Sequence, residues 1–540
     1  MVWSKAILTL LCSAILATTT AQVNRYMVFF KDRTGTSYSV DAPLVFLSQR
    51  AIDRRTQQGV NITEQDFPVN KAYVEALQDA GAETFFSTRW MNGVLVQCDN
   101  ALLPTLQALA FVDHVEFVAP NAKLQKSGRK KVTYAIKADE VASKTQAQLQ
   151  MIGLDQMQAA GYKGQTRVIG VFDGGFPGVN TTTPFQHLID NHQIDLAASR
   201  DFIANSDNVF QYNEHGTEVF SIIAANQQGV FTGGAYEATY QLYVTEDTGS
   251  EYRIEEYNWL FAAERADSAG VDIVNSSLGY FDFDDASMNY AKSAMDGKTT
   301  VISQAAQWLA DRGVVVVCSA GNEGGKAWQI VTAPADAKDV LATGCVSMGG
   351  IRYGSSSIGP SADGRIKPDV AAMGVSNSII RPDGSTGSAT GTSVAAPLIT
   401  SLVAGVWQRY PELSAKEVMD LIRKSASQAN NPDNLLGYGI PNFKAVVNYV
   451  EQQTQENTFE VYPNPITHDS LTIRPFNPNE VATCQVEIVS SQGRLVLRSE
   501  IAFSWLARTY TADLSQVASG VYVLRLTWGD RRFVYKLIKI

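Results

Sequence analysis

Apolar residues fall along the chain in two kinds of run. Residues 167–172, 240–244, 271–275, 314–319 and 340–346 are short and almost continuously apolar, which predicts strands buried on both faces. Residues 148–160, 217–225, 258–269, 301–312 and 415–427 carry apolar positions at helical spacing instead. Residues 398–407 are apolar almost all round, the pattern of a buried central helix. Strand and helix patterns alternate over residues 140–450, so this part is predicted to be α/β, a mainly parallel sheet flanked by helices.

Different patterns flank it. On the N-terminal side, residues 26–30, 84–87, 93–98 and 112–118 read as strands. Helices are expected over 43–59, around Tyr73, Val74 and Leu77 with Gly81 as a stop, and along Leu102, Leu106 and Leu109. Leaving out the extra early helix, the order is βαββαβ, a ferredoxin-like α+β unit. On the C-terminal side, residues 451–457 form a polar linker. Beyond it come short alternating runs at 459–462, 470–473, 484–490, 495–500, 510–513, 521–527 and 533–538, the signature of a small β-sandwich.

Composition narrows the reading. Lys5, the apolar stretch 6–17 and the small residues 19–21 form a secretory signal, residues 1–21. Its apolar stretch is too short to span a bilayer, and no later segment is long enough, so no transmembrane segment is expected. A net charge of −10 argues against nucleic acid as a partner. Five cysteines do not make a disulfide framework. Cys12 lies in the signal, Cys98 and Cys484 fall in separate units, and Cys318 and Cys345 read as buried thiols, with a bridge between them as the alternative. Residues 121–131 are polar and end in Arg129-Lys130-Lys131, a linker open to cleavage. The expected units are residues 22–131, 140–450 and 458–540.

Candidate chemistry lies at the ends of the central strands, where such folds place it. Asp173-Gly174-Gly175 follows one strand directly, and a second group, Glu214-His215-Gly216-Thr217, opens an apolar helix. Of five histidines, His114 and His468 lie in the flanking units and His187 and His192 in a polar loop, which leaves His215 as the candidate general base. The third group, Ser319-Ala320-Gly321-Asn322-Glu323-Gly324, follows a Val-rich strand; its small residues admit a substrate backbone and Asn322 can donate to an oxyanion. The run Gly391-Thr392-Ser393-Val394-Ala395-Ala396-Pro397 precedes the central helix. Pro397 is expected near the start of that helix, because proline lacks an N–H. Ser393 then sits at the helix mouth, where a hydroxyl can attack a carbonyl beside unpaired N–H groups.

Each group alone has an ordinary structural explanation, as a turn or a helix cap. Together, in the order Asp…His…Ser, they resemble the subtilisin-like serine peptidases of the S8 family. The resemblance covers about residues 145–450. It rests on Asp173-Gly174-Gly175, His215-Gly216-Thr217, Ser277-Leu278-Gly279, Ala320-Gly321-Asn322, residues 363–370 (Asp-Gly-Arg-Ile-Lys-Pro-Asp-Val) and residues 391–397. Glu218 departs from the family, in which a second His often stands three residues after the catalytic one; a change of surface charge or of a contact near the base is expected there. The resemblance implies a catalytic triad of Asp173, His215 and Ser393, with Asn322 in the oxyanion hole. It also implies that Ser277, Leu278 and Gly279, and Ser319, Ala320 and Gly321, form two edges beside the substrate backbone. Trp328, in the loop 325–333, is expected to border the first pocket.

The N-terminal unit resembles the inhibitor-I9-like propeptides of such enzymes, which assist folding and block the active site. Tyr462-Pro463-Asn464-Pro465, Ser519-Gly520-Val521-Tyr522-Val523 and Lys536-Leu537-Ile538-Lys539 resemble the C-terminal sorting domain of the type IX secretion system. The expected protein is a secreted or surface-attached serine endopeptidase made as a proenzyme. Its partners would be peptide substrates, its own propeptide and the secretion machinery. No cofactor is required by this chemistry; calcium is common in the family, but the sequence shows no dedicated loop for it. A fold kept only to bind peptides is the alternative, and a metal-dependent hydrolase lacks a His/carboxylate cluster at ligand spacing.

Overall fold

The computed structural model describes residues 23–120, 144–456, 459–475, 483–503, 509–529 and 531–540. The expected signal at 1–21 and the basic run at 129–131 lie outside them.

Strand alternation sorts the central region into three layers. Seven parallel strands lie in the order Val370–Met373, Leu341–Val346, Val315–Ser319, Ile273–Ser276, Val168–Asp173, Thr239–Val244 and Arg200–Asp201. Ile169, Val171, Val315 and Val317 face one apolar core, which holds the helices His215–Ala224 and Thr392–Arg409. Val168, Phe172, Val314, Val316 and Cys318 face the other core, under Ile254–Ala269 and Val301–Asp311. Both faces are covered, so these strands show no polar side to the sequence. The edge strand Arg200–Asp201 and the strand Val370–Met373 were not legible; the first is two residues long, and the second follows a polar motif.

Two predictions for this region are corrected. The stretch expected as one helix at 148–160 is two, Lys144–Met151 and Leu154–Ala159, separated by Gly153 at φ +70°. The linker expected at 451–457 is helical up to Glu456, as the end of Phe443–Glu456. Cys318 and Cys345 are free, buried thiols, so the alternative of a bridge is not realised.

The N-terminal unit has the sheet order Glu83–Thr88, Gly93–Asp99, Val23–Phe30, Val112–Ala119, all antiparallel. This is the ferredoxin-like arrangement. The expected helix along Leu102, Leu106 and Leu109 is shorter, Leu103–Gln107, preceded by a 3-10 turn. Tyr26, Val28 and Phe30 fill the unit's own core. Met27 and Phe29, on the opposite face, join Leu95 and Val118 in the core beneath Ile254–Ala269. The C-terminal unit is a sandwich of three- and four-stranded antiparallel sheets around Leu471, Ile473, Val486, Ile488, Leu524 and Leu526.

Candidate active site

The central strand Val168–Asp173 has Thr239–Val244 on one side and Ile273–Ser276 on the other. The chain winds outward in one direction and then returns to wind in the other, which opens a crevice beyond the carboxyl ends of these strands. Asp173 closes the central strand, fully buried. Its carboxylate accepts from Gly174 N at 2.7 Å and lies 2.9 and 3.0 Å from His215 Nδ1.

His215 begins its helix, with Asn213 Oδ1 accepting from its backbone N–H at 2.8 Å. Gly216 lets this helix come close: a Cβ there would lie 2.2 Å from Gly175 O and 3.0 Å from Asp173 Cβ. Burial disfavours the His215 imidazolium, but the Asp173 charge, with Glu246 and Glu218 behind it, outweighs burial and raises the pKa above its ordinary value. Glu218, where a change of surface charge or of a contact near the base is expected, is half-buried on the same helix and acts on His215. Burial pushes its carboxyl up to about 7; Glu214 and Asp173 push the same way, against His215 and Arg381. Glu246 also comes near Glu251 and Glu255, their carboxylate oxygens within 4.8 Å of one another.

The helix Thr392–Arg409 is buried along Thr392–Trp407, and Ser393 lies in its first turn. Pro397 sits inside this helix rather than at its start. The local reason is visible at Ser393. A residue at 397 would normally donate its N–H to the carbonyl four residues back, and proline cannot. Ser277 Oγ donates to Ser393 O instead, at 2.8 Å. Ser277 Oγ in turn accepts from Asn275 Nδ2 at 3.2 Å, and Asn275 Oδ1 accepts from Thr400 Oγ1 at 2.8 Å. Asn275 and Thr400 were missed in the sequence. Their signal was a polar residue in an apolar strand and another in an apolar helix.

Asn322 Oδ1 accepts from Thr392 N at 3.0 Å and Thr392 Oγ1 at 3.1 Å. A Cβ on Gly391 would stand 3.3 Å from Ser393 Oγ and 3.5 Å from Asn322 Nδ2, so both groups border one small space. Ser277, Leu278 and Gly279 continue from Ile273–Ser276, and Ser319, Ala320 and Gly321 from Val315–Ser319. Ser319 Oγ donates across to Leu278 O at 3.3 Å. Trp328 stacks on Phe281, ring centroids 4.3 Å apart. Five of the ten predicted site residues thus form two groups, an Asp173–His215 pair and a Ser393–Asn322–Ser277 group, and the other five lie along the two edges. The two groups are joined where the helices His215–Ala224 and Thr392–Arg409 pack together.

A parallel sheet with an Asp–His pair at a strand end, and a serine at the mouth of a buried helix, defines the subtilisin-like class of serine peptidases. Comparison with known proteins agrees. The profile of the subtilase family, Peptidase S8, matches residues 164–439, about half of the chain. The Bacteroidota Peptidase S8 propeptide domain matches residues 25–134, and a secretion system C-terminal sorting domain matches residues 460–540. Subtilisin DY of Bacillus licheniformis is 28% identical over 300 residues, 55% of this chain and 96% of the relative. Subtilisin E of Bacillus subtilis is 27% identical over 313 residues, 57% of this chain and 72% of the relative. The crystal structure of the epidermin leader peptide processing serine protease (EpiP) from Staphylococcus aureus shares the fold, with TM-score 0.54 and 13% identity, covering 79% of this chain and 98% of that one. The chain belongs to the subtilase family, Peptidase S8, and is a subtilisin-like serine peptidase with a propeptide and a type IX sorting domain. The sorting domain implies secretion or display at the cell surface. Among the described residues no helix is long and apolar enough to cross a membrane.

Proposed function

We propose that this peptidase is an endopeptidase that cuts peptide bonds through Asp173, His215 and Ser393 by way of an acyl-enzyme. It is made as a proenzyme and exported by a type IX-like route. The observation that carries the catalytic reading is the pairing of buried Asp173 with His215 Nδ1 at 2.9 Å. An Nδ1–H donated to this carboxylate leaves Nε2 as the acceptor for a hydroxyl proton. Ser393 loses its proton to His215 and attacks the carbonyl; His215 then returns the proton to the leaving amine, and water repeats the sequence on the acyl-enzyme.

The fixed Oδ1 of Asn322 supports a role for its Nδ2 as donor to the oxyanion, together with the Ser393 backbone N–H. One such donor contributes about 100- to 1,000-fold in turnover. Substrate backbone lying between the edges at Ser277, Leu278, Gly279 and at Ser319, Ala320, Gly321 would add as a strand. The partners this reading gives the protein are peptide substrates, its own N-terminal unit before removal, and the secretion machinery.

Labelling by a fluorophosphonate probe, with the modified residue located by mass spectrometry, tests the catalytic reading. Processed wild-type protein is expected to be modified at Ser393 alone, and Ser393→Ala not at all. A folded, processed wild type that resists the probe would overturn the enzyme reading in favour of a peptide-binding protein with this fold.

A further inference from the structure

Asn275 and Thr400 are fully buried polar residues in positions suited to apolar ones. Asn275 pairs across the sheet with Val171 and Val317, and it follows Ile273 by two residues on the face toward the helix Thr392–Arg409. Thr400 lies seven residues, about two turns, after Ser393 in that helix. A serine or threonine inside a helix commonly donates to the carbonyl four residues back, as Ser401 Oγ does to Pro397 O at 2.9 Å. Thr400 Oγ1 donates out of the helix instead, to Asn275 Oδ1 at 2.8 Å. Burying two polar side chains costs stability that valine and leucine would not lose, so the pair calls for a role beyond packing.

The bond between them gives the next two a direction. Thr400 supplies the proton that Asn275 Oδ1 accepts, which leaves the N–H side of the amide for Ser277. Nδ2 donates to Ser277 Oγ at 3.2 Å. An amide nitrogen cannot accept, so the hydroxyl's own proton points away from it. That proton goes to Ser393 O, at 2.8 Å. Three hydrogen bonds thus run one way, from helix to strand and back to the helix mouth, and each polarises the next. A Ser277 proton given to Asn275 Oδ1 instead would leave Ser393 O bare, because Pro397 has no N–H for it.

Ser393 O is one of the points from which the nucleophile is held. Thr392 N–H is tied to Asn322 Oδ1 at 3.0 Å on one side of Ser393, and Val394 O accepts from Asn377 Nδ2 at 2.9 Å on the other. The carbonyl between them fixes the Ser393 backbone, and with it the directions of Oγ and of the N–H proposed for the oxyanion. A small misplacement of a reacting atom costs rate steeply.

We propose that Thr400 and Asn275 are positioning residues for this peptidase: the Thr400 hydroxyl orients the Asn275 amide, and the amide directs the Ser277 proton onto Ser393 O. This rests on the peptidase function proposed above. Both residues are shut away from substrate, so loss of the Thr400 hydroxyl lowers kcat and leaves KM nearly unchanged.

The test uses processed protein and one short peptide, with fluorophosphonate labelling of Ser393 to count active sites. Thr400→Val keeps the shape and loses the hydroxyl. It is expected to lower kcat by about 3- to 10-fold, with KM changed by less than about 2-fold. The rate of labelling is expected to fall by a similar factor, and the acid limb of the pH profile, which belongs to His215, to stay in place. Thr400→Ser, which returns the hydroxyl, is expected to recover kcat to within about 2-fold of wild type. In a Ser277→Ala background there is no proton left to direct, so adding Thr400→Val is expected to change kcat by less than about 2-fold. Should Thr400→Val yield no labelled protein, Thr400→Cys, a poor donor of similar size, takes its place. A labelled variant that lacks the hydroxyl and turns over at the wild-type rate overturns the proposal. So does a Thr400→Ser as slow as Thr400→Val, a loss that falls on KM, or an equal loss in the Ser277→Ala background. Wild type that is neither labelled nor active overturns the peptidase function, and this inference with it; that result is distinct from an active wild type whose variants behave otherwise.

Discussion

Glu218 lies beside the proposed general base, and its position has a consequence. It is half-buried one helical turn from His215, and its negative charge adds to that of Asp173 in raising the imidazole pKa. A general base works only when neutral, so a raised pKa means that activity appears as pH rises through it and is lost below it. Removing the Glu218 charge lowers the His215 pKa. Glu218→Gln is therefore expected to shift the acid limb of the kcat/KM profile to lower pH, by a few tenths of a unit to one unit on the order typical of a neighbouring charge. A limb that stays in place would show that Glu218 is protonated, or screened, over the working range. The sequence marked Glu218 as a change near the base but not its effect on His215, because the field of a carboxylate depends on how deeply it is buried.

At the scale of elements, the helix Thr392–Arg409 and the strand Ile273–Ser276 are coupled through one carbonyl. Pro397 withholds the hydrogen bond that Ser393 O would receive within the helix, and Ser277 Oγ supplies it from the strand end. The helix mouth is thereby fixed to the sheet at Ser393, the proposed nucleophile. Ser277→Ala is expected to leave this buried carbonyl without a partner, at a cost of about 1–3 kcal/mol. Adding Pro397→Ala restores an N–H within the helix, so the double variant should lose less stability than Ser277→Ala alone while remaining less active than wild type. Chemical denaturation of the two single variants and the double variant checks this through the coupling energy. Simple additivity would mean that Ser277 does not stand in for the missing helical bond.

At the scale of the whole molecule, the N-terminal unit is held to the peptidase by apolar packing and by a buried ionic network. Arg54 and Arg55 approach Asp267 at 2.6 and 2.7 Å, and Arg89 approaches it at 2.5 Å. In the reverse direction Arg312 of the peptidase reaches Asp66 of the N-terminal unit at 2.9 Å. Glu264 accepts from Thr88 Oγ1, Arg89 N and Trp90 N at 2.6, 2.9 and 3.0 Å. Burial opposes the Asp267 charge, but the four arginines outweigh it and hold its pKa below the ordinary value. Such a network is worth little against an apolar substitute, yet breaking it at one point leaves buried charges unpaired, at about 3–5 kcal/mol. Asp267→Ala is therefore expected to weaken retention of the cleaved N-terminal unit by at least 100-fold, seen as its loss from the peptidase on size exclusion. The hydrolysis of a short peptide by the freed enzyme should be little changed. Co-elution as tight as in wild type would place the holding energy in Met27, Phe29, Leu95 and Val118 instead.

What the sequence determined by itself follows from local rules. Strands covered on both faces appear as unbroken apolar runs, and the ferredoxin-like order and the sandwich strands follow from alternation and turn residues. Asp173, His215, Asn322 and Ser393 could be read because each stands at a strand end or helix mouth, where a polar residue interrupts an apolar pattern. Only the tertiary structure decided the rest. Val23–Phe30 is buried on both faces because a second unit covers one of them. Pro397 is tolerated inside a helix because a strand end supplies the bond it withholds. Asn275 and Thr400 take their roles from each other, far apart in the chain. Patterns of period two or 3.6 record which face of an element is covered; they carry no record of which residue covers it.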